Sequence, residues 1–171
     1  PYTTNVWTSG ATNILDKSGA KGAGDANASL SFGGTVSPAR VTCTEEYDGS
    51  TWTTISSINT TRYDMGSFAA NADQAIGFGG YVNPGISAAA EEWDGSTWTT
   101  TPATLGTARY TMAGSGTATS GLSTSGRAGP RPPATEEYNS SINVTPSAVW
   151  TSGGNIGTTR RNMAAAGITS A

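Results

Sequence analysis

Histidine is absent from this sequence of 171 residues, and Cys43 is its single cysteine. Without histidine the chain has no side chain that ordinarily titrates near neutral pH, no Ser-His-Asp arrangement and no histidine-based zinc or copper site. One cysteine cannot form an internal disulfide. These absences exclude most catalytic and metal-binding classes, and we expect a protein that is not an enzyme and uses no metal or cofactor.

Charged residues are also scarce: they make up 12% of the chain, and the formal net charge is −3. A weakly acidic chain lacks the basic surface on which nucleic-acid binding depends. No apolar run approaches the length needed to cross a bilayer, and no window shows the 3.6-residue period of an amphipathic helix. We therefore expect no nucleic-acid partner, no membrane insertion and β-structure.

The sequence does contain a repeat of about 46 residues. The segment EEYDGSTWT at 45–53 returns as EEWDGSTWT at 91–99, and a degraded copy begins with EEYN at 136–139. The first two copies start 46 residues apart and the last two 45 apart. A period in this range indicates stacked supersecondary units, of which the chain holds about 3.7.

Several further residues recur in the same register, and we expect them to build each unit. They are a tryptophan, a glycine pair, the first residue of an acidic pair and an arginine near a methionine. The positions are Trp7, Trp52, Trp98, Trp150, Gly33, Gly34, Gly79, Gly80, Glu45, Glu91, Glu136, Arg62, Arg109 and Arg160. Each tryptophan is expected to fill the space between neighbouring sheets. Glu45 or Glu46 is expected to form an ion pair with an arginine such as Arg62, which either links blades or anchors a loop and so fixes register.

Four short strands are predicted in each unit. An Asp-Gly pair between two β-prone runs is a strong hairpin signal, and it occurs twice, at 48–49 and 94–95. We place first strands at 62–70 and 109–116, second at 74–79 and 119–125, third at 41–47 and 87–93, and fourth at 51–55 and 97–101. Four strands per unit are typical of a β-propeller blade. A β-solenoid or a two-sheet sandwich built from the same hairpins is the alternative.

The phase of the repeat makes residues 1–171 a single array. We assign the end of a preceding blade to 1–16, three blades to 17–55, 60–101 and 107–153, and the start of a following or closing blade to 158–171. Such an array closes as four blades, continues into further blades, or assembles with copies of itself.

The units resemble the kelch repeat. A glycine pair after the second strand, an aromatic residue in the third and a tryptophan in the fourth carry the resemblance, in Phe32-Gly33-Gly34 … Tyr47 … Trp52 … Arg62 and Phe78-Gly79-Gly80 … Trp93 … Trp98 … Arg109. It covers essentially the whole chain, although the aromatic-to-tryptophan gap is shorter than in most kelch blades. The texture is also similar to repeats in tail-fibre-like and structural proteins of phages of aquatic bacteria. The resemblance implies a kelch-like propeller in a virion or at an extracellular surface.

Loops that differ between units are where binding specificity is expected. Three of them, at 35–40, 81–87 and 127–133, occupy the same loop of successive blades and should project from one face; an insertion lies at 140–148. The candidate ligand contacts in these loops are Arg40, Tyr81, Asn83 and Arg127. Arg62-Tyr63, Arg109-Tyr110 and Arg160-Arg161 are expected to ring the mouth of a central channel, in a structural role.

Two remaining features have a structural explanation. The acidic pairs at 45–46 and 91–92 could support two-carboxylate glycoside hydrolysis, but adjacent strand residues point to opposite faces and the pairs recur in every unit. Cys43 stands where later units have Ala89 and Ala134, which predicts a small buried slot.

Two functions of different class follow from these observations. The first is a tail-fibre-like or adhesive recognition component that binds a host glycan or envelope protein through its loops. The second is a structural spacer, decoration or self-assembling filament subunit without a small ligand. In that case the partners are copies of the chain or other virion or surface proteins, because exposed strand edges promote further pairing.

Overall fold

The computed structural model describes residues 6–129, 134–140 and 149–152, the last of these by backbone alone, and contains no helix within them. The strands are β1 Lys21–Gly24, β2 Ser29–Phe32, β3 Thr35–Val36, β4 Ala39–Arg40, β5 Thr44–Tyr47, β6 Trp52–Ile55, β7 Gly66–Asn71, β8 Gln74–Phe78, β9 Ala89–Trp93, β10 Trp98–Thr104, β11 Ala113–Gly116, β12 Ser120–Thr124, β13 Thr135–Asn139 and β14 Val149–Ser152. The prediction of an all-β protein is confirmed.

These strands form three four-stranded antiparallel sheets and one small hairpin. The sheet orders are β1-β2-β5-β6, β7-β8-β9-β10 and β11-β12-β13-β14, and β3 pairs with β4. Each sheet is therefore a meander of successive strands, apart from the β3–β4 hairpin inserted into the first, and none closes into a barrel. The strands lie within a few residues of the positions expected from the repeat.

The outer hairpin of the first two sheets is set by an aspartate. In the loop between β5 and β6, Oδ1 of Asp48 accepts hydrogen bonds from the backbone N of Ser50 at 2.8 Å and of Thr51 at 2.7 Å. Asp94 makes the same two bonds in the loop between β9 and β10, at 2.9 and 2.8 Å. An aspartate that bonds its own following backbone nucleates such a turn, so the predicted hairpins are confirmed.

The first strands of the three sheets lie side by side. In β7, the hydroxyl of Ser67 donates to the carbonyl oxygen of Gly22 in β1 at 2.9 Å. On its other side β7 meets β11 so closely that a Cβ on Gly114 would collide with the carbonyl of Ser67. Only glycine permits this approach. The second sheet is therefore packed between the first and the third.

Two apolar clusters fill the spaces between the sheets. The cluster between the first and second sheets contains Leu30, Phe32, Ile58, Met65, Ala72, Ala75, Trp93 and Trp98. The cluster between the second and third contains Phe68, Ile76, Phe78, Ala90, Ala103, Leu105, Met112, Ala118 and Tyr138. Burial of these side chains is the main force that holds successive units together.

The recurring tryptophans differ in their surroundings. Trp98 is 5% exposed; its ring centroid lies 4.7 Å from that of Phe32, and its Nε1 donates to Thr44 of the first sheet at 3.1 Å. Trp52 is half-buried and Trp7 fully exposed, because no sheet among the described residues covers them. The prediction that each tryptophan fills an inter-sheet space therefore holds for Trp98 and is wrong for Trp7. The side chain of Trp150 lies outside the described residues.

Candidate functional site

In the second unit, a buried ion pair between Arg62 and Glu91 holds the segments that carry the candidate site. The guanidinium of Arg62 donates from Nη2 to Oε1 of Glu91 at 2.7 Å. Its Nη1 donates to the carbonyl oxygens of Gly79 and Ala89 at 3.0 and 2.9 Å. Burial lowers the pKa of Arg62, and the adjacent carboxylate of Glu91 opposes that shift. The pair ties the segment that enters β7 to β9 and to the end of β8.

The expected pairing of Arg62 with Glu45 or Glu46 is wrong. Glu45 instead lies 3.6 Å from Nζ of Lys17, with both side chains buried. Each basic residue pairs with the glutamate of its own unit, so the contact fixes the interior of a unit and does not link neighbouring units. Lys17 was not recognised from the sequence as the counterpart of Arg62, because the segment KSGA that begins at Lys17 has no residue in common with the segment RYDM that begins at Arg62.

The third unit repeats the arrangement. Nη2 of Arg109 lies 2.5 Å from Oε1 of Glu136, and its Nη1 donates to the carbonyl of Ala134 at 3.2 Å. The second carboxylate oxygen of Glu136 accepts a bond from the backbone N of Gly106 at 2.7 Å. All three units thus contain a buried basic residue paired with a glutamate of the same unit, an arrangement named here the anchor, which supports a structural role for these residues. Arg160 and Arg161 lie outside the described residues.

The residue after each arginine anchor pairs with the residue after the second glycine of the same unit. Tyr63 and Tyr81 exchange two backbone hydrogen bonds of 3.2 and 2.9 Å. Tyr110 and Arg127 exchange two of 3.1 and 2.8 Å. The anchors therefore set the positions of these four residues on one side of the molecule.

The first unit has no aromatic or cationic residue at the paired positions, and its cation comes from the inserted β3–β4 hairpin. It has Ser18 and Thr35 at the paired positions. Arg40, on β4 of the inserted hairpin, places its guanidinium carbon 5.3 Å from the ring centroid of Tyr63 and 5.4 Å from that of Tyr81. The hairpin thus carries an arginine from the first unit onto the rings of the second.

Five side chains form a continuous row across the three units, named here the aromatic-cationic face: Arg40, Tyr63, Tyr81, Tyr110 and Arg127. The ring centroids of Tyr63 and Tyr81 are 5.2 Å apart, and those of Tyr81 and Tyr110 are 6.0 Å apart in an edge-to-face arrangement. The guanidinium of Arg127 lies 5.4 Å from the ring of Tyr110. Arg127 is exposed and the other four are half-buried, so the row is both held in place and accessible.

An open cleft of about 680 Å³ adjoins the Arg40 end of the face. Its lining includes Arg40 and Tyr63 together with the polar side chains of Thr35, Asp64 and Asn83. A concave surface that combines an aromatic ring with a few polar groups is the usual form of a small-ligand site.

Three of the four predicted ligand contacts lie in the aromatic-cationic face, and the fourth, Asn83, lines the adjoining cleft. The face also contains Tyr63 and Tyr110, which the sequence had assigned to a structural channel mouth. The recurring glycine pair marks the residues with which Tyr63 and Tyr110 pair through their backbones. The sequence does not show which side chains their rings contact. Parts of two variable loops, residues 130–133 and 141–148, lie outside the described residues.

Backbone strain is located directly beside the face. Asp64 and Thr111, the residues after Tyr63 and Tyr110, have φ of 52° and 55°, and Gly19 has φ of 63° at the same position of the first unit. The backbone N of Asp64 donates to the carbonyl of Gly19 at 2.9 Å, and that of Thr111 to the carbonyl of Asp64 at 2.5 Å. A β-branched residue in this region is a genuine outlier, held there by the surrounding structure.

Glu91, Glu92 and Cys43 lie outside the aromatic-cationic face. In the part of the chain that the structure describes, no group of three or more His, Cys, Asp or Glu residues could hold a metal ion. Glu91 is committed to its ion pair, while burial and then the charge of Asp94 raise the pKa of Glu92. Cys43 is half-buried, less than predicted, and burial raises the pKa of its thiol.

No model of a known protein family and no curated protein matches the sequence. Among the described residues, no helix has the length and apolar character of a membrane span. The function must therefore be argued from the geometry of the chain itself.

Proposed function

We propose that this chain is a non-enzymatic recognition component of a virion or cell surface, similar to a phage fibre, and that its aromatic-cationic face binds a host glycan. The observation that carries this proposal is the continuous row from Arg40 to Arg127, to which three successive units contribute. An envelope protein is the competing partner, and the binding experiment below distinguishes the two.

In this proposal, the aromatic-cationic face lies on an array of kelch-like β-propeller blades. Every described pairing in the four-stranded sheets joins strands of one unit, whereas a β-solenoid would pair strands of successive coils. The three consecutive sheets also differ from the two layers of a sandwich. Side-by-side first strands with apolar clusters between sheets are the arrangement that blades around a common axis require.

Glycan binding fits the chemistry of the face. A tyrosine ring offers an apolar surface to the C–H face of a sugar, and its hydroxyl remains available for hydrogen bonds. The rings are fixed by backbone pairs between Tyr63 and Tyr81 and between Tyr110 and Arg127. Because little ordering is needed on binding, a modest contact area suffices for measurable affinity.

The test is binding of purified host surface glycans, with Tyr81→Ala as the central variant. Tyr81 touches Arg40, Tyr63 and Tyr110, so its removal interrupts the row. We expect affinity to fall about tenfold or more in calorimetric titration. The matched control is Trp7→Ala, which removes a more exposed aromatic ring outside the face and should leave affinity unchanged. Equal losses in both variants, or binding only to deglycosylated envelope proteins, would refute the glycan proposal.

A structural subunit is the second candidate, and one observation favours it. Trp7 is fully exposed and Trp52 half-buried, whereas Trp98 is covered by a neighbouring sheet. A second copy that supplied such a sheet would bury both rings. Light scattering of the purified chain tests this: a mass that rises with concentration and drops to the monomer value in Trp52→Ser supports self-assembly.

A further inference from the structure

We infer that the ligand of the aromatic-cationic face is an acidic saccharide whose carboxylate groups are bound by Arg40 and Arg127. This inference rests on the proposed glycan-binding function and specifies its ligand class.

Of the six basic side chains among the described residues, five fall into two groups, and the sixth, Lys21 in β1, belongs to neither. Lys17, Arg62 and Arg109 are buried and each is paired with a glutamate. Arg40 and Arg127 have no carboxylate within ion-pair distance among the described residues, although acidic residues outnumber basic ones by 12 to 9 in the chain. Two unneutralised cations on one face of an acidic protein create a local positive potential there.

Both arginines are held in a geometry that leaves their donors free. Each guanidinium lies over a tyrosine ring, at 5.3 Å for Arg40 over Tyr63 and 5.4 Å for Arg127 over Tyr110. No acceptor among the described residues hydrogen-bonds either guanidinium, so the N–H donors along its edge remain available to a ligand. That edge matches a carboxylate, which accepts two parallel hydrogen bonds.

The spacing fits an oligosaccharide. The two cations are joined by the ring contacts Arg40–Tyr81, Tyr81–Tyr110 and Tyr110–Arg127, of 5.4, 6.0 and 5.4 Å. A chain of sugars laid along the tyrosines would therefore meet both arginines in turn. Asp64 also lines the cleft beside Arg40, and its charge opposes an acidic ligand.

The experiment compares trigalacturonate with neutral galactotriose, whose sugars differ only in a carboxylate or a CH₂OH at C6. We expect the acidic trisaccharide to bind about tenfold or more tightly at low salt, with an advantage that shrinks as ionic strength rises. Arg40→Gln and Arg127→Gln should each remove most of this advantage. Arg40→Lys, which keeps the charge without the fork, should lie between wild type and Arg40→Gln. Asp64→Asn should strengthen acidic binding.

The failure of this inference is distinguishable from failure of the proposed function. Equal affinity for the two trisaccharides, with loss of both in Tyr81→Ala, overturns the acidic class and retains glycan binding. Absence of binding to these and to all host glycans overturns both. An acidic preference that persists in the Arg40→Gln/Arg127→Gln double variant, with unchanged melting temperature, also overturns the assignment of these arginines.

Discussion

Adjacent residues in this chain belong to two very different regions. Arg62 and Arg109 lie in the buried anchor, where each meets the glutamate of its own unit and the carbonyl of the alanine two residues before that glutamate. Tyr63 and Tyr110, one position later, lie in the aromatic-cationic face, where each unit contributes something different. The anchor repeats because every unit must fold in the same way. The face varies because it rests on that anchor and is not needed to form it.

The strongest way to break the anchor is Glu91→Gln. This change leaves the guanidinium of Arg62 buried without a counter-charge, and we expect a loss of about 3–5 kcal/mol in the free energy of unfolding. Urea denaturation measures it. In the double variant Arg62→Leu/Glu91→Leu the buried charge is gone, so part of the stability should return.

The control for this prediction is the neighbouring residue, Glu92. Burial raises the pKa of its carboxyl, and Glu92 has no cationic partner within ion-pair distance among the described residues. Because a raised pKa means that the folded state disfavours the charged carboxylate, Glu92→Gln should leave stability at neutral pH unchanged or raise it slightly, by up to about 0.5 kcal/mol. Equal losses at positions 91 and 92 would show that the ion pair is not what makes the anchor essential.

Gly79→Ala disturbs the same anchor at the backbone of residue 79, which accepts a hydrogen bond from Arg62. Gly79 has φ of 64°, its carbonyl accepts a bond from Arg62, and a Cβ there would meet the carbonyl of Arg109. Left-handed strain and this collision together should cost about 3 kcal/mol. Gly85→Ala is the matched control, because a Cβ at Gly85 would meet nothing within 4 Å. A similar melting temperature for the two variants would contradict the geometry.

The strands were predictable from the sequence, and the contacts between them were predictable only in part. The Asp-Gly turns at 48–49 and 94–95 and the fixed period determine where hairpins form. A period gives the phase of a residue but not the copy that it touches, so the partner of Arg62 was predicted wrongly. The cation–π contact of Arg40 with Tyr63 depends on the path of an inserted hairpin, which has no counterpart in the repeat.

Thr111→Asn tests whether the strained backbone between the anchor and the face serves folding or ligand binding. Thr111 holds φ of 55° beside Tyr110, and asparagine tolerates this conformation better than a β-branched residue does. We expect a gain of about 1 kcal/mol in thermal denaturation. Thr107→Asn, at an exposed position, is the control and should be neutral. Increased stability with weakened glycan binding would indicate that the strain positions Tyr110 for its ligand.

The smallest effect concerns the outer turns, which belong to neither region. Hydrogen bonds from the backbone of Thr97 and from Ser96 lower the pKa of Asp94 from its ordinary value of 3.8 to about 2. A carboxyl with a lowered pKa in the folded state stabilises the fold above its unfolded value, and this contribution is lost as pH falls towards 2. The melting temperature should therefore decline between pH 4 and pH 2, and more shallowly in Asp94→Asn, because asparagine cannot be protonated there. Parallel curves for the two proteins would mean that the turn forms without help from the charge of Asp94.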